Sequence, residues 1–243
     1  MQNDWSEYLK VLQTKWSTVP AGSIRISTKD LTKMNDSELL SFWTKTRHEA
    51  TEGDGFYSRG WYHALYTPIL RQKRVLDVGC GLGIDGITFA QNGAKVTFLD
   101  IIESNVRLVE RLCRLLNITD VDFCHLQNSD SLNSKGDYDF IWCQGSMICA
   151  PFEIVKSEVQ ALLKHLKKNG RWIELAYPKV RWEREGGLPF EVWGEKTDGG
   201  APWIEWYDLE KLFQRLSPYK FKPILSFEFH NSDFIWFDLL RAD

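Results

Sequence analysis

Three glycines at alternate positions, Gly79, Gly81 and Gly83, follow the apolar run Val75-Leu76-Asp77-Val78 and precede a helical pattern from Ile84 to Asn92. Such a loop lets backbone approach a ligand closely, because no Cβ intervenes. The helix after it points free N–H groups at whatever the loop holds. A carboxylate, Asp100, ends the next strand pattern, Lys95-Val96-Thr97-Phe98-Leu99. An acid there can accept the hydroxyls of a ribose. Strand, glycine loop, helix, strand and acid make a nucleoside-binding unit. Gly81, Gly83 and Gly86 also satisfy G-x-G-x-x-G, the dinucleotide fingerprint, although that match alone is a weak signal.

Positioning these groups requires a sheet. Strand patterns fall at 74–79, 95–100, 120–126, 138–143 and 170–176, and helical patterns at 85–92, 103–116 and 152–168. The alternation predicts a parallel sheet covered on both faces. The last part differs: a helix over 208–216, then strands over 221–229 and 234–240 joined by His230-Asn231-Ser232-Asp233. So short a connection forces antiparallel pairing. Before the sheet, Trp5, Tyr8, Leu9, Leu12 and Trp16 recur near helical spacing. Asn35 or Asp36 caps a further helix, 51–55 form a turn, and a short helix over 61–70 is interrupted near Pro68.

The whole stretch V-L-D-V-G-C-G-L-G resembles motif I of the class I S-adenosylmethionine-dependent methyltransferases, with Asp77 two residues before the first glycine. The resemblance continues through Asp137 to Cys143, similar to the family's fourth strand, and Lys168 to Glu174, similar to its fifth. It covers roughly Arg71 to Tyr177. It implies a doubly wound, mostly parallel seven-stranded sheet with a C-terminal antiparallel strand, plus an N-terminal helical segment, in one domain. Within that domain, 1–70 would be a helical lid segment, 71–177 the cofactor core, 178–206 an acceptor-side insertion and 207–243 the terminal helix and hairpin. It also implies S-adenosyl-L-methionine as cofactor and S-adenosyl-L-homocysteine as product. Gly79, Gly81 and Gly83 would lie against the methionine part. Asp77 would orient that loop or hold the ammonium group, and Asp100 would take the ribose. Ile101 and Ile102 would flank the adenine. Asn128 and Ser129 stand where the family often places an acid against the adenine amino group. Gln144 and Gly145 would face the cofactor's amino acid.

Composition narrows the acceptor. A net charge of −3 over 243 residues gives no basic stripe for phosphate binding, so a nucleic-acid partner is not favoured. Gln144-Gly145-Ser146-Met147 stands where base-amine methyltransferases carry Asn-Pro-Pro-Tyr or Asp-Pro-Pro-Tyr. Five cysteines without C-x-x-C spacing point to reduced, buried thiols, and five histidines form no ligand cluster, so no metal site is expected. Met1 to Trp5 shows no signal-peptide pattern and no apolar run approaches the roughly 20 residues of a membrane span. The expectation is a cytoplasmic enzyme, monomer or homodimer, with a small-molecule acceptor: a sugar, a sugar nucleotide or a secondary metabolite, methylated on oxygen or nitrogen.

The acceptor side is less defined. Tyr57 and Arg59 lie in an aromatic run beside the 51–55 turn; Tyr57 would cover the cofactor and Arg59 would bind its carboxylate or an anionic acceptor. His48 and His63 are candidate bases in this segment, with Glu183 and Glu185 as alternatives in the insertion. Trp182, Trp193, Trp203 and Trp206 make the insertion a candidate pocket wall or lid, or else a cap on the core rim. A dinucleotide oxidoreductase, a protein or nucleic-acid methyltransferase and a non-catalytic cofactor-binding protein stay open as alternatives.

Overall fold

The computed structural model describes residues 5–17, 26–127, 132, 136–197 and 200–243. The helix α1 (Trp5–Trp16) opens the chain. Two compact units follow from the contacts: Trp16–Ser134, and Met1–Lys15 with Lys135–Asp243.

The first unit starts with α2 (Thr28–Leu31) and α3 (Asp36–Thr51). A capping box sets the start of α3: Asn35 accepts from the Glu38 N–H, and Glu38 accepts from the Asn35 N–H. A π-helical turn, Phe56–Gly60, then leads directly into α4 (Trp61–Leu70). Pro68 does not interrupt α4, contrary to expectation. It sits in the last turn, where only one helical hydrogen bond is lost.

Next come β1 (Arg74–Val78), α5 (Ile84–Gln91), β2 (Lys95–Asp100), α6 (Glu103–Leu115) and β3 (Val121–His125). β1 and β2 pair in parallel, as do β2 and β3. Val75 to Val78 and Val96 to Asp100 are buried throughout, the continuous pattern of strands covered on both faces. The register Val78↔Leu99 brings both strand ends level. The N–H groups of Gly79 and Cys80 then donate to the Leu99 carbonyl, at 2.8 and 3.1 Å. The glycine loop therefore leaves the sheet beside Asp100.

The second unit carries β4 (Tyr138–Gln144), α7 (Phe152–Leu163), β5 (Leu166–Ala176), α8 (Lys179–Arg184), α9 (Phe190–Thr197), α10 (Leu209–Leu216), β6 (Phe221–Phe229) and β7 (Phe234–Arg241). β4 and β5 are parallel, while β7 runs antiparallel to both β5 and β6. The seven strands and the reversed β7 agree with the expected fold class. α7 stops five residues before the expected end because β5 begins at Leu166, pairing with Tyr138 ahead of an irregularity in the β4–β5 register. His230, Asn231 and Ser232 all take positive φ, which closes the terminal hairpin tightly.

The core of this unit holds an ion pair. Glu174 and Arg215 are both fully buried and bonded to each other. The Trp172 indole donates to Glu174 at 2.7 Å, and Arg215 also donates to the Met147 carbonyl at 2.9 Å.

Candidate active site

Asp100 is the centre of the first unit's polar cluster. It is only 6% exposed. Its Oδ2 accepts from the Gly81 N–H at 3.0 Å and its Oδ1 from the Ile102 N–H at 2.9 Å. Asn105 adds a donor to Oδ2 at 3.1 Å. Burial pushes the carboxyl up from the ordinary range, and the donors at Ile102, Gly81 and Asn105 oppose that rise.

The loop itself takes positive φ at Gly79, Gly81 and Gly83. A side chain at Gly81 would enter open space, its nearest neighbour being the Gly79 carbonyl at 4.0 Å. Backbone is thus laid bare on the side a ligand would approach. The far side is braced: the Trp43 indole donates to the Leu82 carbonyl at 3.1 Å.

Asp77 lies beneath the start of α5, 3% exposed, with the Gly86 N–H as a donor. Burial pushes its carboxyl well up, repulsion from Asp85 and Asp100 adds to this, and Arg59 opposes it. Arg59 donates to Asp85 at 3.0 Å, and His63 Nε2 lies 2.6 Å from the same oxygen. Arg59 and His63 both meet Asp85, and Arg59 also opposes the rise at Asp77, while Asp100 takes its donors from Gly81, Ile102 and Asn105. Three buried carboxylates in one neighbourhood leave the cluster short of positive charge. A ligand with an ammonium group and a cationic centre supplies that charge, so the residues fit S-adenosylmethionine.

Asp85 was not legible as a functional residue from sequence. The available signal was the four-residue spacing of Arg59 and His63, which places both on one helical face. Asn105, Thr28 and Trp43 carried no signal at all. Tyr57 projects outward, 70% exposed, in edge contact with Phe56. Ile101 is half-buried and Ile102 buried. Asn128 and Ser129 lie outside the described residues.

The structure does not prepare His48 as a base. It is solvent-exposed on α3 and pairs with Glu52 at 3.0 Å, an ordinary surface contact. Glu183 is exposed and pairs with Lys179 at 3.5 Å. Glu185 is removed as a base, because Arg181 and the Trp193 indole occupy its two oxygens at 3.0 and 2.6 Å.

In the second unit, Gln144 ends β4, with its Oε1 buried and without a hydrogen-bond partner. Gly145 follows in a positive φ, and a side chain there would meet nothing within 4 Å. The insertion folds into α8 and α9 rather than a loop. Its indoles are internally bonded: Trp182 to the Leu188 carbonyl at 2.7 Å, Trp193 to Glu185, and Trp203 to Glu205 at 3.1 Å. Lys211 sits 4.1 Å from the Trp206 ring centre and pairs with Glu205 at 2.6 Å.

Residues 75–170 match the family model described as a methyltransferase domain. Over those residues the chain is similar to methyltransferase domains. The chain is 33% identical over 107 residues to a ubiquinone biosynthesis O-methyltransferase of Bordetella parapertussis, covering 43% of this chain and 42% of that relative. The chain thus spans less than half the length of this relative. Among solved structures it is similar to magnesium protoporphyrin IX methyltransferase of Synechocystis PCC 6803 with bound S-adenosylhomocysteine, at TM-score 0.59 and 19% identity, over 88% of this chain and 92% of that one. The 1,6-didemethyltoxoflavin-N1-methyltransferase of Burkholderia thailandensis gives TM-score 0.56 and 16% identity, over 92% and 94%. These likenesses show the fold that the chain shares with these methyltransferases. No described helix is long and apolar enough to cross a membrane.

Proposed function

We propose that the protein transfers a methyl group from S-adenosyl-L-methionine to an oxygen or nitrogen of a small molecule, and that Asp100 carries cofactor recognition. The observation behind this is the Asp100 carboxylate, buried beside the glycine loop with a single donor on its Oδ1. The matched relatives' names, an O-methyltransferase and two methyltransferases of ring compounds, favour a small acceptor and leave the methylated atom open.

Bound S-adenosylmethionine supplies an electrophilic methyl on a sulfonium. The chain's task is then mainly placement. Asp100 accepts ribose hydroxyls, the Gly79–Gly83 backbone lies against the methionine part, and Asp77 orients the loop. Arg59, fixed by Asp85, keeps further N–H donors for a carboxylate. His63 is the candidate proton acceptor: Asp85 at 2.6 Å fixes its ring. Tyr57 provides an exposed aromatic face for a cofactor or acceptor. Five buried cysteines without a disulfide support a cytoplasmic setting.

Calorimetric titration with S-adenosylhomocysteine tests the reading. Wild type should bind, and Asp100→Ala should lose binding while its circular dichroism stays unchanged. Binding that survives Asp100→Ala would overturn the assignment.

A further inference from the structure

We infer that Thr28 and Asn105 form a relay that positions Asp100 for the ribose, which makes the N-terminal segment part of cofactor recognition. The inference rests on the reading of Asp100 as the ribose acceptor. Asn105 Nδ2 donates to Asp100 Oδ2 at 3.1 Å, and Thr28 Oγ1 donates to Asn105 Oδ1 at 2.7 Å. All three side chains are buried, at 2, 8 and 6% exposure for Thr28, Asn105 and Asp100.

Chemistry fixes the direction of every bond in this chain. A carboxylate only accepts, so Asn105 must turn its NH₂ towards Asp100. Its carbonyl oxygen then faces Thr28, whose hydroxyl must donate. Reversing the amide would set oxygen against carboxylate and leave two groups unpaired. The relay therefore has one stable polarity, and Thr28 enforces it.

The acceptor geometry of Asp100 follows. Oδ2 holds two N–H donors, Gly81 N–H and Asn105 Nδ2, and the Cys80 thiol at 3.9 Å, whereas Oδ1 holds one donor, Ile102 N–H. A carboxylate offers about four lone-pair sites. The remaining site lies on Oδ1, so the relay locks one edge of the group and presents the other to a hydroxyl.

Joining α2 to α6 needs no such relay. Leu31, fully buried, already packs that short helix, and an apolar pair would avoid burying an amide and a hydroxyl. Ending the relay on the ribose acid gives those polar groups a use.

The test compares S-adenosylhomocysteine with its 2′,3′-dideoxy analogue by calorimetry. Wild type should favour the intact ligand by about tenfold or more. Asn105→Leu should shrink that preference to within about twofold, and Thr28→Val should reduce it several-fold. Thr28→Ser, which keeps the hydroxyl, should restore it. Leu31→Ala, a packing control, should weaken both ligands alike and leave their ratio intact. Full discrimination in both Asn105→Leu and Thr28→Val would overturn the relay while leaving Asp100 as ribose acceptor. No discrimination in wild type would overturn both. If Asn105→Leu does not fold, the Thr28→Val and Thr28→Ser pair decides.

Discussion

Arg59 and Asp85 meet at 3.0 Å, guanidinium to carboxylate, across 26 positions of sequence. Asp85 is 4% exposed, and the same oxygen lies 2.6 Å from His63 Nε2. Arg59→Ala should therefore weaken S-adenosylhomocysteine binding by about ten- to a hundredfold, since hydrogen bonds to charged groups are worth roughly 1.5–3 kcal/mol. Arg59→Lys should recover little, because a single ammonium cannot serve Asp85 and a second carboxylate in the same fork geometry. Titration calorimetry on both variants decides, and an unchanged affinity in Arg59→Ala would remove Arg59 from the site.

His63 shares that carboxylate, which makes its role separable by kinetics. His63→Gln keeps a donor towards Asp85 but cannot take a proton. With an acceptor found from a panel of phenols, hydroxylated sugars and amines, kcat should fall by about 10²–10⁴-fold. Cofactor affinity should change by less than about threefold. Equal kcat in both proteins would make His63 a structural partner of Asp85 only.

Cofactor affinity should depend on pH above the ordinary carboxylate range. Burial raises Asp100, and burial with Asp85 and Asp100 nearby raises Asp77. An acid raised in the folded state favours folding while protonated, and that contribution is lost as pH climbs through the raised value. A ligand bringing hydroxyls and positive charge stabilises the ionised forms instead. The thermal shift given by S-adenosylhomocysteine should therefore be larger near about pH 8 than near about pH 5. Asp100→Asn should flatten part of that dependence. A shift independent of pH in wild type would show that neither acid meets the ligand.

The Glu174–Arg215 pair should govern stability and not recognition. Arg215→Ala leaves a carboxylate buried with only the Trp172 indole, and should cost about 3–5 kcal/mol by chemical denaturation. Replacing both partners with Leu and Met should cost far less, because an apolar pair carries no desolvation penalty. A small effect in Arg215→Ala would mean that Glu174 takes up a proton or that water enters to solvate it.

The sheet and its glycine loop were legible because they obey short-range rules. Asp77, Gly79 and Asp100 are placed by strand ends, and strand ends follow from apolar runs and glycines. The terminal hairpin was legible for the same reason. The Asp85 cluster was not, because its members come from the π-helical turn, α4 and α5 and only packing brings them together. The insertion read as a candidate pocket wall or lid without defined elements, and α8 and α9 form there, held by indole N–H bonds that composition cannot show. His48 and Glu183 were plausible by residue type alone, and exposure separates them from His63.

Gly86 sits where any added Cβ would strike the Asp77 carboxylate and the Phe98 ring. Positions 77, 86 and 98 are thus bound to one another sterically. A descendant of this chain could gain even a methyl at 86 only by first giving ground at the acid or the ring, so change at these three places has to arrive in a set order.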